Sequence, residues 1–210
     1  MDGCGTATAV WHPGAVLETG EDYREAVLSG QWWEKRRFTG CDFTGADLSG
    51  LQTRGCTFDD CDFSRADLSR SRHEASAFRS CTFDRTVLVD SRWTSCSLLG
   101  SSFGDSGFGG IALTECDLSL ASLAKARLRR LGLSGLRLRE ANLTEADLTG
   151  ADLRGSDLTG ARLLGAKLEG ADLRGARLDA NALVQANLRG AQVDMDTAIS
   201  FAAAHGLIVR

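Results

Sequence analysis

Proline is almost absent from the sequence, with one residue, Pro13, among 210. Because proline interrupts backbone hydrogen-bond ladders, nothing of this kind breaks a regular structure after Pro13. No apolar run approaches the length of a membrane-spanning helix. Residues 1–16 lack a basic segment followed by an apolar core, so we expect no secretion and a cytoplasmic protein. Basic charge is not in excess either, since 28 acids against 24 bases give a net charge of −4. This balance excludes a generic basic nucleic-acid binder.

What the sequence has instead is a five-residue repeat. From Ala141 to Gly190 a leucine stands at every fifth position, and a small residue stands two positions before each one except at Asn181. A helix would scatter such leucines around its axis, and a flat strand would alternate them between its faces. The pattern therefore predicts a chain that turns a corner once per repeat and keeps every leucine inside. Glycine, frequent two residues after the leucine, suits such corners because it adopts φ > 0 at low cost.

The repeat runs from Phe38 to Val193 without an insertion. Of its 32 central positions, 20 are leucine and eight are phenylalanine. Three of the four exceptions, Thr53, His73 and Trp93, lie 20 residues apart, and cysteines and phenylalanines recur at the same interval. Four repeats per coil predict an all-β fold, a four-sided parallel solenoid of about eight coils in which residues 20 apart stack about 4.8 Å from each other.

The amino-terminal end lies outside this period. We interpret residues 1–30 as an extension in which Thr19 to Gly30 has the acidic first turn and glycine stop of a short helix. The β-helix itself is predicted over residues 31–195. Trp32 and Trp33 either cover the open end of the solenoid or belong to a frayed extension.

At the other end, residues 196–210 predict a C-terminal helix and tail, with Asp194 or Asp196 as its cap and Gly206 as its stop. This end is too apolar to be only a lid, which indicates a helix that pairs with a copy of itself in a two-fold homodimer. A monomeric cap is the alternative. The candidate interface residues are Ala198, Ile199, Phe201, Ala202, Leu207, Ile208 and Val209.

No catalytic, cofactor or metal site emerges from the residue pattern. Six of the seven cysteines occupy the small inward position, where cysteine packs as a small apolar residue and lacks metal-ligand spacing. Their odd number and the cytosolic character favour free thiols. His73 lies in a core column without a nucleophile or carboxylate pattern around it, so we interpret it as structural. The sequence predicts neither an enzyme nor a metal or cofactor binder.

Larger residues replace the small inward one at Leu51, Ile111 and Leu131 in one column and at Leu136 on the next side. A glycine-rich stretch runs from Gly104 to Gly110. We interpret this region as a locally distorted or bent zone between two more regular halves. The two halves also differ in their cores, since leucine fills every central position after Phe108 until the last one.

Repeats such as Ala-Asp-Leu-Arg-Gly at residues 151–155 resemble the pentapeptide-repeat family, whose members form a right-handed quadrilateral parallel β-helix. More narrowly, the chain resembles the MfpA-type and Qnr-type proteins, which bind DNA gyrase and confer fluoroquinolone resistance. The supporting segments are Gln31-Trp32 leading into Phe38–Phe43, then Ser76–Thr86, and Phe201–Leu207. This resemblance covers roughly residues 31–210, and the projecting loops of some Qnr-type members are missing.

In that family the rod-shaped dimer is understood to imitate duplex DNA and to occupy the DNA-binding saddle of gyrase. The resemblance therefore implies a non-catalytic partner of gyrase that modulates or inhibits it and protects it from quinolones or other gyrase poisons. It implies no cofactor, no direct contact with nucleic acid and no membrane. The candidate gyrase-facing carboxylates are Asp42, Asp47, Asp59, Asp60, Asp62, Asp67, Asp147, Asp152, Asp157 and Asp172.

The charge distribution bears on this hypothesis. Residues 38–125 contain 12 acids and 8 bases, a net charge of −4, whereas residues 126–195 contain 9 acids and 11 bases, a net charge of +2. No side of the rod carries only acids, so mimicry of DNA depends on local clusters. The alternative is a structural or scaffold rod, unrelated to topoisomerases, whose surface is solvated and ion-paired.

Overall fold

The computed structural model describes residues 17–209 of the chain, which form a parallel β-solenoid ending in two helices. The all-β solenoid with a short C-terminal helix predicted from the repeat is thereby confirmed. The strands are β1 Leu17–Thr19, β2 Trp32–Glu34, β3 Arg37–Thr39, β4 Gln52–Arg54, β5 Thr57–Asp59, β6 Arg72–Glu74, β7 Ala77–Arg79, β8 Arg92–Thr94 and β9 Ala112–Thr114, and the helices are α1 Ala180–Leu183 and α2 Met195–Ala204. Neither helix is long and apolar enough to cross a bilayer.

The solenoid has four faces, which we name after one inward residue each: the Phe58, Phe63, Leu68 and His73 faces. Strands β1, β3, β5 and β7 pair in that order on the Phe58 face, and β2, β4, β6, β8 and β9 on the His73 face. Every pair is parallel and joins residues 20 apart. On the other two faces single bridges keep the same interval. Four pentapeptides per coil, as predicted, therefore set the cross-section.

The corner of each repeat is its fifth residue, which adopts positive φ. Gly155, with φ of 64°, does so at low cost, but Arg85 adopts a φ of 56° and Leu120 a φ of 61°. In a non-glycine residue this conformation costs about 1–2 kcal/mol. Glycine is thus favoured at the corners without being required, because the ladders on either side hold the turn.

The interior of the first coils is built from stacked aromatic rings. Phe38 and Phe58 stack with ring centroids 4.8 Å apart, and Phe43 and Phe63 stack at 4.9 Å, each pair within 2° of parallel. Parallel strands in register force this arrangement, because they place identical side chains one strand spacing apart. Burial and ring contacts together make this region a dense apolar core.

The short helix predicted between Thr19 and Gly30 is wrong, and the solenoid begins earlier than residue 31. Leu17 to Thr19 form β1 opposite β3, and Asp22 and Val27 form bridges to the next coil. The five-residue phase simply continues backward, with Tyr23 and Leu28 packed against the core at central positions. The chain has one coil more at this end than the count from Phe38 gives. The rest of the predicted extension, residues 1–16, lies outside the described residues.

The two tryptophans do not cover the end of the solenoid. Trp33 is a buried central residue of the His73 face, whereas Trp32 points outward and is 52% exposed. The first coil holds Glu18 at the central position of the Phe58 face, opposite Phe38, and its carboxylate accepts hydrogen bonds from Tyr23 and Arg36. The guanidinium of Arg36 lies 4.8 Å from the ring centre of Trp33. A half-buried polar cluster therefore covers the aromatic core from this side.

The repeat is interrupted before Val193, which its unbroken period did not predict. At α1 a single helical turn takes the place of the bridge between residues 162 and 182 on the Phe63 face. In the sequence phase Asn181 holds the small inward position, but its side chain is exposed. An asparagine amide is too large and polar for that buried position. The side chain of Asp179 accepts the Gly160 N–H at 3.0 Å, in place of a backbone carbonyl. Asp194 accepts the Gly175 N–H in the same way, just before α2.

Helix α2 agrees with the predicted C-terminal helix. It begins after Asp194, although the Asp194 side chain bonds to the neighbouring coil and does not cap the helix. Gly206 ends it with φ of 80°, and the Gly206 N–H donates to the Ala203 carbonyl at 2.9 Å. This is the αL stop expected of a glycine after a helix.

Candidate partner-binding surfaces

The aspartates that precede a central residue stabilise the turn that follows it. Each stands just before the central residue, and its carboxylate accepts the N–H of the residue two positions later. The distance is 2.8 Å from Ser64 N to Asp62 and from Ser69 N to Asp67, and 3.1 Å from Thr149 N to Asp147. Such a turn explains why aspartate recurs at this position regardless of any partner. One carboxylate oxygen is left for other contacts.

In the first coils these aspartates stack on two adjacent faces. Asp22, Asp42 and Asp62 are in register on the Phe63 face, and Asp47 and Asp67 on the Leu68 face. We call these five residues the acidic patch. Stacked neighbours lie about one strand spacing, ~4.8 Å, apart, so their charges repel one another.

Few cations neutralise the acidic patch. Arg24 lies 2.6 Å from Asp22 and 3.6 Å from Asp42. Among residues 17–209, no lysine or arginine lies within 4.0 Å of the carboxylates of Asp47, Asp62 or Asp67. The hydrogen bond from Ser49 nevertheless holds the pKa of Asp47 below its usual value. Asp47 therefore keeps its negative charge at neutral pH.

The other candidate carboxylates are placed differently. Asp59 lies on the Phe58 face and pairs with Arg79 at 2.6 Å, while Asp60 occupies an exposed corner. The four candidates in the later coils are all ion-paired: Asp147 with Arg129 at 3.5 Å, Asp152 with Arg154 at 2.7 Å, Asp157 with Arg139 at 3.3 Å and Asp172 with Arg174 at 2.6 Å. The structure thus brings Asp42, Asp47, Asp62 and Asp67 together and disperses the rest.

The carboxyl end offers an apolar surface. Four of the predicted interface residues are exposed, namely Ile199, Leu207, Ile208 and Val209, with Ile208 82% exposed. Ala198, Phe201 and Ala202 are half-buried, and Phe201 packs against the core. Sequence analysis missed Met195, which is 76% exposed. Its spacing of four residues from Ile199 places it on the same helix face, which was the available signal.

His73 is surrounded by hydroxyl groups in the core. The Ser71 hydroxyl donates to the Leu68 carbonyl at 2.7 Å and so accepts from His73 Nε2 at 2.9 Å. His73 Nδ1 then accepts from the Thr53 hydroxyl at 2.9 Å. Burial lowers the pKa of His73 to about 3, so the imidazole is neutral. A neutral, fully bonded imidazole is a structural residue, as its position in the sequence indicated.

The cysteines described by the structure are buried and unpaired. Their thiols donate to backbone carbonyls, as in the 3.4 Å contact from Cys56 Sγ to the Trp33 oxygen, and burial raises the pKa of Cys56. Within residues 17–209 there is no cluster of three or more His, Cys, Asp or Glu side chains suited to a metal ion. The cysteine column belongs to the packing of the core.

Comparison with known families identifies the repeat. A model of the family described as pentapeptide repeats matches eight copies, within residues 24–60, 37–72, 137–175 and 156–192. Together these segments span half of the chain. No match is found among curated proteins.

Two solved structures of QnrB1, which is described as a plasmid-mediated fluoroquinolone resistance protein, are similar over nearly the whole chain. A trypsin-treated variant is 26% identical with a TM-score of 0.81, and the match covers 93% of this chain and 98% of that one. The full-length protein is 25% identical with a TM-score of 0.80, covering 92% and 98%.

Proposed function

This chain belongs to the pentapeptide-repeat family, and from that premise we propose that it binds DNA gyrase as a non-catalytic, DNA-like rod and protects the enzyme from quinolones. The observation that carries the proposal is the similarity to QnrB1, which covers 93% of this chain and 98% of that one. A shared repeat alone would favour the fold without the function. Under this proposal the protein acts in the cytoplasm, together with the chromosome.

We propose the acidic patch as the surface that gyrase contacts. A groove that binds DNA is lined with basic groups, and stacked carboxylates at a regular spacing attract such a groove as phosphates do. The unpaired charges of Asp47, Asp62 and Asp67 suit this role, because no intramolecular ion pair has to be broken before they meet a cation. The ion-paired aspartates of the later coils contribute less.

We propose further that two copies associate through the carboxyl end. Apolar side chains are exposed at one tip of the solenoid by Met195, Ile199 and Leu207 to Val209. A two-fold axis there would pack this apolar surface against the same surface of a second copy. Replacing Ile199 by aspartate buries a charge in that interface and should halve the mass measured by light scattering. Leu120→Asp, at an exposed corner in mid-rod, is the control. An unchanged mass for the Ile199 variant would remove α2 as the interface.

The experiment for gyrase is a supercoiling titration with and without a quinolone. We expect the protein to alter supercoiling or to restore it in the presence of the drug at micromolar concentration. In a triple variant, Asp47, Asp62 and Asp67 become asparagine, which keeps the oxygen that accepts the turn N–H. We expect this variant to need roughly tenfold more protein, or more, for the same effect, since electrostatic attraction accelerates association by that order.

The matched control replaces Asp147, Asp157 and Asp172 by asparagine, which removes the same formal charge from ion-paired positions. It should act like the unmodified protein. Equal loss in both triple variants would assign the effect to net charge and not to the acidic patch. If the unmodified protein neither alters supercoiling nor rescues gyrase, the gyrase proposal fails and a scaffold rod with another partner takes its place.

A further inference from the structure

The backbone ladder of the Leu68 face is broken at one level. Before the break, the Leu88 N–H donates to the Gly107 carbonyl at 3.1 Å, and after it the Leu128 N–H donates to the Asp147 carbonyl at 2.8 Å. Between them, the N–H groups of Phe108 and Gly110 find no acceptor within residues 17–209. The residue pair 107 and 127 forms no bridge, although both of its neighbours along the face do. Two coils have separated here.

The break continues onto the His73 face. Gly132 bridges Asp152 in the following coil, but no bridge joins it to Ala112 in the preceding one. On the Phe58 face the same two coils stay joined, since the Leu118 N–H donates to the Arg137 carbonyl at 2.7 Å. The opening therefore runs across two adjacent faces and closes on the opposite side. We call it the seam.

The seam has a physical cause in the sequence. Ile111 and Leu131 occupy the small inward position of successive coils, where most repeats place alanine, serine or cysteine. Two branched side chains stacked in a narrow corner need more room than one strand spacing provides. This is the distorted zone that the sequence predicts near the glycine-rich stretch.

The two edges of the seam enclose a concavity of about 380 Å³. We call residues 108–111 the near lip and residues 127–132 the far lip. The floor is bare, because a side-chain carbon at Gly109 would meet only Val89, at 3.8 Å, and one at Gly132 would meet nothing within 4 Å. Volumes of roughly 300–1,000 Å³ are typical of ligand sites in proteins. The two glycines therefore leave this concavity free of side chains.

The far lip of the seam is basic. Arg127, Arg129 and Arg130 line it, and all three are exposed. Arg129 shares Asp147 at 3.5 Å, but within the described chain no carboxylate lies within 4.0 Å of the Arg127 or Arg130 guanidinium. An anionic occupant would therefore complement the charge of this lip.

The unpaired backbone groups on the two lips further restrict the class of ligand that can bind. The near lip offers the N–H groups of Phe108 and Gly110, whereas the far lip offers the carbonyls of Arg127 and Arg129, which receive no N–H from residues 17–209. Only an occupant with alternating donors and acceptors satisfies both rows. A phosphate or a nucleic-acid backbone supplies acceptors alone.

We propose that the seam binds an extended acidic segment of a partner protein. The backbone of the segment would pair with the open ladder, and its carboxylates would meet Arg127 and Arg130 in charge-assisted hydrogen bonds. This inference is independent of gyrase, because the seam does not include any residue of the acidic patch. Its test therefore does not depend on which protein binds the acidic patch.

The first test concerns the free protein. Amide hydrogen exchange followed by NMR should find Phe108 and Gly110 exchanging on the order of a hundred times faster than Leu88 and Leu128, which occupy the same face with bonded N–H groups. Equal protection at all four positions would mean that the seam is closed in solution, and the proposal would be overturned.

The second test uses a short fluorescein-labelled peptide of alternating glutamate and valine, with a lysine–valine peptide as its counterpart. Fluorescence anisotropy should detect binding of the acidic peptide alone, and Arg127→Ala and Arg130→Ala should each weaken it about tenfold. Gly109→Val should abolish it by filling the floor. Arg162→Ala removes an exposed arginine far from the seam and should change nothing.

Each remaining outcome of the peptide test counts against the proposal. No binding of the acidic peptide to the intact protein overturns it, as does equal weakening by Arg162→Ala. Competition by inorganic phosphate or a DNA duplex as strong as that by unlabelled peptide would assign the seam to anions in general. Unfolding in urea, measured on every variant, separates loss of the site from loss of the fold.

Discussion

The first and last coils of this rod share one backbone geometry and differ in what fills it. Residues 17–115 contain all nine strands and the stacked aromatic rings, whereas residues 116–193 contain no phenylalanine, tyrosine or tryptophan. The later coils are joined by single bridges, and their corners from Gly150 to Gly175 are all glycine. Coils with the same register therefore form around either core. Stacked aromatic rings and stacked leucines are two ways to fill the same coil.

The outer surfaces divide at the same place. The acidic patch lies on the aromatic half with three of its five carboxylates unpaired among the described residues. The turn aspartates of the leucine half are matched by arginines, namely Asp117, Asp147, Asp152, Asp157 and Asp172. Because both sets make the same turn hydrogen bonds, the turn does not explain the difference. What differs is the arginine content of neighbouring positions. The unpaired carboxylates of one half suit a basic partner, whereas the turn aspartates of the other half are paired with its own arginines.

The largest expected effect tests the two cores. Phe63→Ala should lower the free energy of unfolding by about 4 kcal/mol, and Leu143→Ala on the same face by about 3 kcal/mol. Phe63 loses stacking with Phe43 at 4.9 Å and with Phe83 at 5.1 Å in addition to apolar burial. Urea unfolding of both variants measures the two losses in free energy. A leucine deletion as costly as the phenylalanine deletion would mean that ring stacking adds nothing to the aromatic half.

A smaller effect should appear as a pH dependence of the aromatic half. His73 is neutral in the fold with a pKa of about 3, but its pKa returns to 6.5 on unfolding. The unfolded chain therefore binds the proton first, and stability present above pH 6.5 is lost as the pH falls toward 3. The slope is at most about 1.4 kcal/mol per pH unit. Urea unfolding at a series of pH values measures it.

The control for this slope is His73→Gln, which retains an amide for Thr53 and Ser71 but does not titrate. Its free energy of unfolding should vary less between pH 6.5 and 5 than that of the unmodified chain, whatever its absolute value. His205 is exposed and present in both proteins, so its contribution cancels. If the free energies of unfolding of the two proteins change equally with pH, His73 takes up its proton without destabilising the fold.

The sequence predicts the architecture because a strict period leaves few solutions. One large and one small inward residue per five, with stacks at 20, are enough to give the faces, the register and the columns of Thr53, His73 and Trp93. The first coil was not predicted because two of its central residues, Glu18 and Tyr23, are neither leucine nor phenylalanine. The local helix signals there are outweighed by parallel pairing with residues 37–47 of the next coil.

The surfaces were harder to predict than the core. Eight of the ten candidate aspartates occupy the same position in the repeat, and only their distances to arginines separate the paired from the unpaired. The seam was visible as oversized residues at Ile111 and Leu131, but its missing hydrogen bonds depend on how two coils settle against each other. The helix α1 had one local sign, Asn181, which broke the small-residue rule.

The smallest effect has opposite signs in the two halves. Asp62→Asn keeps the turn, removes a charge that faces Asp42 one coil away, and should raise the free energy of unfolding by a few tenths of a kcal/mol. Asp157→Asn keeps the same turn but loses the 3.3 Å pair with Arg139, and should lower stability by about 0.5 kcal/mol. Both shifts are Coulombic, so urea unfolding should find them at low ionic strength and lose them in ~1 M salt, where the screening length is about 3 Å. If both variants shift in the same direction, the contrast between an unpaired and a self-neutralised half does not hold at the level of stability.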